Sequence, residues 1–353
     1  MGVTRASIKD VAAMAGVSHQ TVSRVINRPD LVAPPTRARV ERAIRALGFH
    51  PNASARALRT RHTHTVGVLV GSNTAFVAMN GLSSLELALR AAGLHMLMTG
   101  LHGDDFASLQ TSVGPLLERD VDALVIAANH RAAADLAREL ARTRTVVALQ
   151  PGVSADDGLS SCAVDFGAAV RDVIDHLHAR GDRVLDFIPG PAHFTTVSAR
   201  TEAWIRELGD RRLPLRPLVP VAMSVAGGRD AGLRLVAYGL PDAVFCVNDL
   251  VAMGVLQAFR EQGVRVPDDV AVVGMDNLFG TDQISPSLTT VEQPWAALGT
   301  TTGALVVDAL AGRPPRTVRL SATLVVRDST AGSRSEGDRG QATVVPEAAG
   351  QGS

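Results

Sequence analysis

Short apolar runs alternate with longer amphipathic stretches along most of this chain, and this alternation restricts the fold more than any other feature. Strands are predicted near residues 66–70, 95–99, 122–127, 145–149, 183–188, 243–247 and 270–275. The stretches between them carry apolar residues at helical spacing, with examples at 81–92 and 168–180. Such alternation is typical of parallel α/β sheets. About 260 residues exceed what one sheet uses, so the pattern predicts two similar α/β lobes.

The first 50 residues follow a different pattern, that of three short helices. Ser7 is a candidate N-cap with Asp10 three residues later, and Gly16 suits the end of that helix. Ser18 is the candidate N-cap of a second helix, and a third follows two prolines and ends at Leu47. Three short helices with a glycine turn between the first two predict an all-α helix-turn-helix head.

Charge is divided unevenly between this head and the rest of the chain. Residues 1–61 contain eleven Lys or Arg and three Asp or Glu, a net charge of +8. Since the whole chain has a formal net charge of +0, the remainder carries −8. A basic head on an acidic body predicts a polyanion-binding module joined to a larger domain.

Several classes of protein are disfavoured. No apolar run reaches the about 18 residues of a membrane span, and Lys9 and Asp10 interrupt the segment where a signal peptide would be apolar. Cys162 and Cys246 form no disulfide framework. We therefore expect a reduced, cytoplasmic protein with no membrane partner.

Motifs of catalysis and metal binding are missing as well. The chain has no Walker loop, no Gly-x-Ser-x-Gly elbow, no His-Glu-x-x-His and no Gly-x-Gly-x-x-Gly fingerprint. His62 and His64 have the spacing of a metal pair on a strand, but no third ligand accompanies them. We expect no catalytic residue, no metal and no cofactor.

Residues 8–24 read Ile-Lys-Asp-Val-Ala-Ala-Met-Ala-Gly-Val-Ser-His-Gln-Thr-Val-Ser-Arg. This run strongly resembles the head of the LacI/GalR bacterial transcriptional regulators. The similarity extends over about residues 7–330, for example at 247–249, 273–276 and 327–330, and is sharper in the head than in the body. The resemblance implies a repressor that binds a palindromic operator as a homodimer and responds to a small molecule.

The second helix carries the predicted base-reading residues. Gln20 can pair with adenine and Arg24 with guanine, whereas Thr21 and Ser23 suit phosphate contacts or the start of the helix. The resemblance places base reading on the residues that follow Ser18. The complete predicted DNA-binding set is Ser18, His19, Gln20, Thr21, Ser23, Arg24, Asn27, Asn52, Ala55 and Leu58.

The linker at 51–63 has helical potential and a second possible DNA contact. Leu58 is flanked by small and basic residues, so it can enter the minor groove as an apolar wedge. In the resembled family, the matching Leu wedges where two hinge helices pair, and the residue matching Ala55 allows their close approach. The alternative is an ordinary linker whose Leu58 packs on the body.

The body is predicted to be a two-lobed, periplasmic-binding-protein-like domain that closes on a ligand, by resemblance a sugar. The predicted effector-binding residues are Ser72, Phe76, Arg200, Asn248, Asp276, Gln293 and Trp295, mostly at strand ends or at the crossover between lobes. Polar side chains beside an indole suit a polyhydroxylated ligand. Structural interpretations stay open: Asp276 as a helix cap, Asn248 in a turn, Trp204 in the core and Trp295 in the lobe interface.

The predicted domain organisation is a head at 1–50, a hinge at 51–63, an effector-binding and dimerisation body at 64–330 and a disordered tail at 331–353. Within the body, lobe 1 is predicted at 64–163 and 293–330, and lobe 2 at 164–292. The favoured function is a repressor of sugar uptake or catabolism genes. The alternatives are a sugar-binding receptor without a DNA role, a purine-responsive regulator, and an enzyme, against which the missing motifs argue.

Overall fold

The computed structural model describes residues 6–49, 62–71, 79–101 and 106–332. These residues form two compact units that divide between Thr63 and His64. Most of the predicted hinge at 51–63 and of the predicted disordered tail at 331–353 lies outside the described residues.

The first unit contains three α-helices, as predicted. They are α1 (Ile8–Ala15), α2 (His19–Asn27) and α3 (Pro34–Leu47). Val11, Val22 and Val40, one from each helix, are fully buried and form the centre of a small core. A side chain of this size stabilises the folded state by about 1.5–3 kcal/mol when buried.

The end caps of these helices follow from the sequence. Ser7 and Asp10 form a capping box at the start of α1, and the carboxylate of Asp10 accepts the Ser7 N–H at 2.8 Å. Gly16 ends α1 in the left-handed conformation with φ of 62°, which lets the chain turn directly into α2. Ser18 caps α2, where its hydroxyl accepts the backbone N–H of Thr21 at 3.2 Å.

The second unit is an α/β body with two sheets. Its first sheet has six parallel strands in the order β10-β5-β4-β3-β1-β2, which are β1 (Thr65–Val70), β2 (His95–Gly100), β3 (Ala123–Ala127), β4 (Val146–Leu149), β5 (Ser160–Val164) and β10 (Thr317–Leu320). The helices of this lobe are α4 (Met79–Ala91), α5 (Phe106–Leu117), α6 (Arg131–Ala141) and α11 (Trp295–Leu310). The central strands β3 and β5 are buried along their whole length, as in a sheet covered on both faces.

The second sheet has five strands in the order β11-β9-β8-β7-β6, and only β11 is antiparallel to its neighbour. Its strands are β6 (Leu185–Ile188), β7 (Ala243–Cys246), β8 (Ala271–Met275), β9 (Thr289–Glu292) and β11 (Thr323–Val325). Its helices are α7 (Phe166–Arg180), α8 (Thr195–Asp210), α9 (Val225–Tyr238) and α10 (Asp249–Glu261). The seven strands predicted from the sequence are all present, with bounds that shift by one or two residues.

The chain crosses between the two lobes three times. It passes from β5 to α7 at Asp165, from β9 to α11 around residues 293–294, and from β10 to β11 around residues 321–322. All of residues 293–330 were predicted to belong to lobe 1, and this is wrong for the residues after Leu320, which join lobe 2. The reason is the pairing of β11 with β9, which adds residues Thr323–Val325 to the second sheet.

Trp204 is a core residue, one of the alternatives left open for it. It is 1% exposed on α8 and packs with Phe187 and Phe245, at ring-centroid distances of 5.6 and 5.9 Å. Ala203 is also buried within α8.

Candidate DNA-binding surface and interlobe cleft

The N-terminal turn of α2 presents polar side chains to solvent. His19, Gln20 and Arg24 are exposed, whereas Val22 and Val25 on the opposite side are buried. The hydroxyls of Ser18 and Thr21 lie 3.0 Å apart within the cap, so these two side chains organise the start of the helix. The outward set His19, Gln20 and Arg24 is exposed and can reach another molecule.

Ser23 and Asn27 are tied to each other on α2. The Asn27 side-chain N–H groups donate to the Ser23 backbone carbonyl at 2.6 Å and to its hydroxyl at 3.2 Å. The predicted contacts Asn52, Ala55 and Leu58 lie outside the described residues, as do Ser72 and Phe76 of the predicted effector site.

A cleft with about 550 Å³ of empty space lies between the two lobes of the body. Lobe 1 contributes residues that follow the ends of its strands, including Asn129 after β3 and Gln150 after β4. Lobe 2 contributes Phe166 and Thr196, and the second chain crossing contributes Gln293 and Trp295. Ligands bind at this strand edge in open α/β sheets, and small-molecule sites commonly lie between domains.

Arg200 is held beside this cleft by three neighbours. It is 5% exposed on α8, and its Nη1 donates to the backbone carbonyl of Val247 at 2.5 Å. Its Nη2 lies 4.0 Å from the carboxylate of Asp276, and its guanidinium carbon lies 4.5 Å from the ring centroid of Phe166. A carboxylate on one side and an aromatic face on the other fix a cation that is otherwise costly to bury.

Asp276 follows β8 and faces the second chain crossing. Its carboxylate accepts a hydrogen bond from the side-chain N–H of Gln293, and its backbone has φ of 112°, which is rare for a non-glycine residue. No helix follows within residues 277–288 of the described chain, so Asp276 is not a helix cap. Burial raises the pKa of Asp276 to about 6, and the charge of Arg200 opposes this shift.

Asp249 is a second buried carboxylate near Asp276, and the sequence analysis did not select it. It accepts the hydroxyl hydrogen of Thr290 at 2.6 Å and the backbone N–H of Leu278 at 2.7 Å. Burial raises the pKa of Asp249 to about 7, and the negative charge of Asp276 adds to the increase. Asp249 comes close to Asp276 through the pairing of strands in the folded sheet, which no local sequence motif predicts.

Three buried N–H groups at or beside the cleft have no hydrogen-bond partner within the described part of the chain. They are Gln150 Nε2, Arg200 Nε and Trp295 Nε1. Unpaired buried donors are rare in folded proteins and cost about 1–3 kcal/mol each, so they mark positions where a ligand atom or water accepts a hydrogen bond. Trp295 and Arg200 were predicted from the sequence, but Gln150 was not, because its strand end carries no motif.

Asn248 has a structural role at the edge of this region. Its side-chain oxygen accepts the backbone N–H of Val251 at 3.0 Å and so caps α10. The observed contact makes Asn248 a helix N-cap rather than the turn residue left open as an alternative, and its side-chain amide N–H groups are the part left for a ligand.

The lobes also touch directly along one side of the cleft. The backbone N–H of Thr195 donates to the carbonyl of Asn129 at 3.1 Å, and Arg131 Nη2 donates to the Ser198 hydroxyl at 3.2 Å. Any change in the angle between the lobes must alter these contacts.

The described residues contain neither a metal-binding cluster nor a membrane-spanning helix. No group of three or more His, Cys, Asp or Glu side chains is arranged to hold a metal ion there. None of the helices described is both long and apolar enough to cross a membrane.

Comparisons with known proteins match both parts of the chain. Residues 7–52 match the model of bacterial regulatory proteins of the lacI family, and residues 174–330 match the model of periplasmic binding protein-like domains. The HTH-type transcriptional repressor PurR of Yersinia pestis strain Pestoides F is 31% identical over 332 residues, covering 92% of this chain and 97% of that protein. This chain is a member of the lacI family of bacterial regulatory proteins.

Solved structures agree with this assignment to the lacI family. The lac repressor dimer bound to operator and the anti-inducer ONPF has a TM-score of 0.86 at 25% identity, covering 93% of this chain and 99% of that one. The complex of the transcriptional regulator CelR with cellobiose has a TM-score of 0.66 at 29% identity, covering 92% of this chain and 100% of that one. Members of the lacI family are transcriptional regulators rather than enzymes, and this member is a DNA-binding transcriptional repressor.

Proposed function

We propose that this repressor reads a palindromic operator as a homodimer through the exposed residues of α2. This proposal rests on the exposed side chains of His19, Gln20 and Arg24, which lie on a helix whose other side is buried. Gln20 supplies the donor and acceptor pair that fits adenine, and Arg24 the paired donors that fit guanine. His19 and Gln20 then set the sequence preference, and Asn27 supports the neighbouring Ser23.

The dimer is supported by the size of the head and by one exposed aromatic residue. A single helix-turn-helix covers one half-site, so specific modules of this kind bind in pairs to two half-sites. In the body, Phe279 is 101% exposed in the loop that follows Asp276. Aromatic residues are enriched in protein interfaces, so Phe279 suits contact with a second copy. In the proposed dimer, Asn52, Ala55 and Leu58 of the hinge contact the DNA between the half-sites.

We infer that the effector is a small polyhydroxylated molecule, most simply a sugar, bound in the interlobe cleft. The unpaired donors of Gln150, Arg200 and Trp295 require acceptors, which sugar hydroxyl and ring oxygens supply. Asp276 and Asn248 provide the complementary acceptor and amide groups, and the proposed site extends to Ser72, Phe76 and Gln293. The structurally similar CelR was solved with cellobiose, which supports a sugar for this chain as well.

The aromatic side chains that line the cleft also favour a sugar over a purine base. The face of Phe166 nearest Arg200 is occupied by the guanidinium group, which leaves Trp295 as the aromatic surface available among the described lining residues. A flat base gains most from stacking against aromatic faces, whereas a sugar needs one apolar platform and several polar partners. The effector would act by binding one lobe arrangement more tightly than another.

Footprinting tests the whole proposal on DNA from upstream of the gene, at a stated salt concentration, with a panel of sugars and of purine bases. We expect a protected palindrome that one sugar releases, which would make the chain a repressor of genes for that sugar. Release or tightening by a purine would replace the sugar by the alternative effector. Salt-sensitive binding without a discrete footprint would contradict operator reading altogether.

A further inference from the structure

A second cavity lies in lobe 2, away from the interlobe cleft, on the outer edge of its sheet. It has about 660 Å³ of empty space and is lined by ten residues of β6, α9 and the extended segment before α9. β6 is an edge strand, so its outer side is not covered by another strand of the described sheet. None of the residues that line this cavity lines the interlobe cleft.

The floor and rim of this cavity are apolar. Phe187 and Ile188 of β6 lie at the bottom, and Ala231 and Leu235 of α9 form one wall. At the rim, Val219 is 51% exposed and Tyr238 is 85% exposed. Exposed apolar side chains gathered around a cavity are uncommon on soluble proteins and mark sites of binding.

The charged groups of the cavity are predominantly cationic. Arg216 pairs with Asp186 at 3.2 Å and donates a second hydrogen bond to the carbonyl of Gly239 at 2.9 Å. Arg234 is exposed on α9 and forms no ion pair with any residue of the described ranges. Two guanidinium groups and one carboxylate leave a net positive charge, so an anion is the favoured ligand.

From these observations, we propose that this cavity, formed by β6, α9 and the Arg216–Val219 segment, binds a small amphipathic anion. Its aromatic or branched apolar body would lie on Leu235 and Val219. Its carboxylate or other acidic group would pair with Arg234, which forms no ion pair with any of the described residues. A second copy of the chain would instead need a flat, wide surface, whereas this cavity is concave.

The test is a fluorescence titration of the full-length protein with 8-anilinonaphthalene-1-sulfonate, an aromatic sulfonate of this chemical class. We expect Arg234→Glu to weaken the binding of this probe by about tenfold or more, because a charge-assisted contact becomes a repulsion. Tyr238→Ala should weaken it by a smaller factor. Arg260→Glu on α10 is the matched control, since it reverses an exposed arginine that does not line the cavity, and it should leave probe binding within about twofold.

Equal probe binding by wild type, Arg234→Glu and Tyr238→Ala would overturn the proposal. Sedimentation velocity of the same variants tests the alternative occupant, which is a second copy of the chain. A change in association state with unchanged probe binding would make this surface a contact between copies. The side chains of Arg234 and Tyr238 are both exposed, so neither variant should compromise folding, and circular dichroism verifies this.

Discussion

The guanidinium carbon of Arg200 lies 4.5 Å from the ring centroid of Phe166, and the two residues belong to different helices, α8 and α7. Phe166 begins α7 directly after the first chain crossing, and it lines the cleft. The cation is thus positioned by the residue that starts lobe 2 and by Asp276 at the end of β8. This arrangement places the buried charge of Arg200 against Phe166, a residue that lines the cleft.

Arg200→Lys should abolish the effector response while leaving operator binding intact. A lysine keeps the charge but loses the planar fork that contacts Val247 and faces Phe166 together. We expect effector affinity to fall by about tenfold to a hundredfold. Calorimetry with the effector identified by the panel measures this, and footprinting of the variant serves as the folding control. Normal induction by the variant would exclude the proposed role.

Arg24→Ala should weaken binding to the operator more than binding to unrelated DNA. Loss of a paired contact to guanine costs about 1–3 kcal/mol, whereas binding to nonspecific DNA depends on phosphate contacts. Fluorescence anisotropy with operator and scrambled duplexes at equal salt gives the ratio of the two affinities. An unchanged ratio would remove Arg24 from the base-reading set.

The two buried carboxylates make the stability of the body depend on pH. Their pKa values are raised by burial, to about 6 for Asp276 and about 7 for Asp249, so the folded state holds these protons more tightly than the unfolded state. Their contribution to stability is therefore present below the ordinary carboxyl pKa and is lost as the pH rises through about 6–7.

Asp276→Asn tests this dependence because the side-chain oxygen that accepts from Gln293 is retained. We expect the variant to gain melting temperature relative to wild type at pH 7.5, where the wild-type carboxyl is charged, and to show a smaller difference at pH 5. Thermal unfolding at the two pH values measures the change. A difference between variant and wild type that stays the same at both pH values would contradict the raised pKa.

Helices α9 and α10 meet through glycines, and two alanine substitutions probe this contact. A Cβ atom at Gly254 would lie 2.0 Å from the carbonyl oxygen of Val225, which is backbone and cannot move aside. We expect Gly254→Ala to destabilise the body by about 3 kcal/mol or more. Gly209→Ala is the matched control, because that helical glycine has nothing within 4 Å and alanine there should stabilise by up to about 1 kcal/mol. Urea unfolding curves that rank the two variants in the opposite order would disprove the packing argument.

The sequence predicted the helices of the head and most strands of the body because those features depend on local patterns. Ser7 with Asp10, Gly16 and Ser18 each satisfy backbone groups within a few residues, and the observed caps confirm them. The direction taken after Leu320 was predicted wrongly, because pairing of β11 with β9 joins residues about thirty positions apart in the chain.

The cleft shows the same limit. Arg200, Gln293 and Trp295 were selected through family resemblance and Asp276 because it follows a predicted strand, and all four stand at or beside one cleft. Gln150 and Asp249 were not predicted as site residues, because their roles depend on burial and on neighbours supplied by other strands. A lone glutamine after a strand carries no chemical signal until the fold shows that its amide N–H is unpaired.

The three chain crossings have a consequence for biosynthesis. Lobe 1 receives β10 only at Thr317–Leu320, and lobe 2 receives β11 only at Thr323–Val325. Neither sheet can be completed on the ribosome until nearly all of the body has emerged, although the head is released early. A nascent or truncated chain would therefore carry a finished DNA-reading head on an unfinished sensor, so the last strands determine when binding to DNA comes under control of the effector.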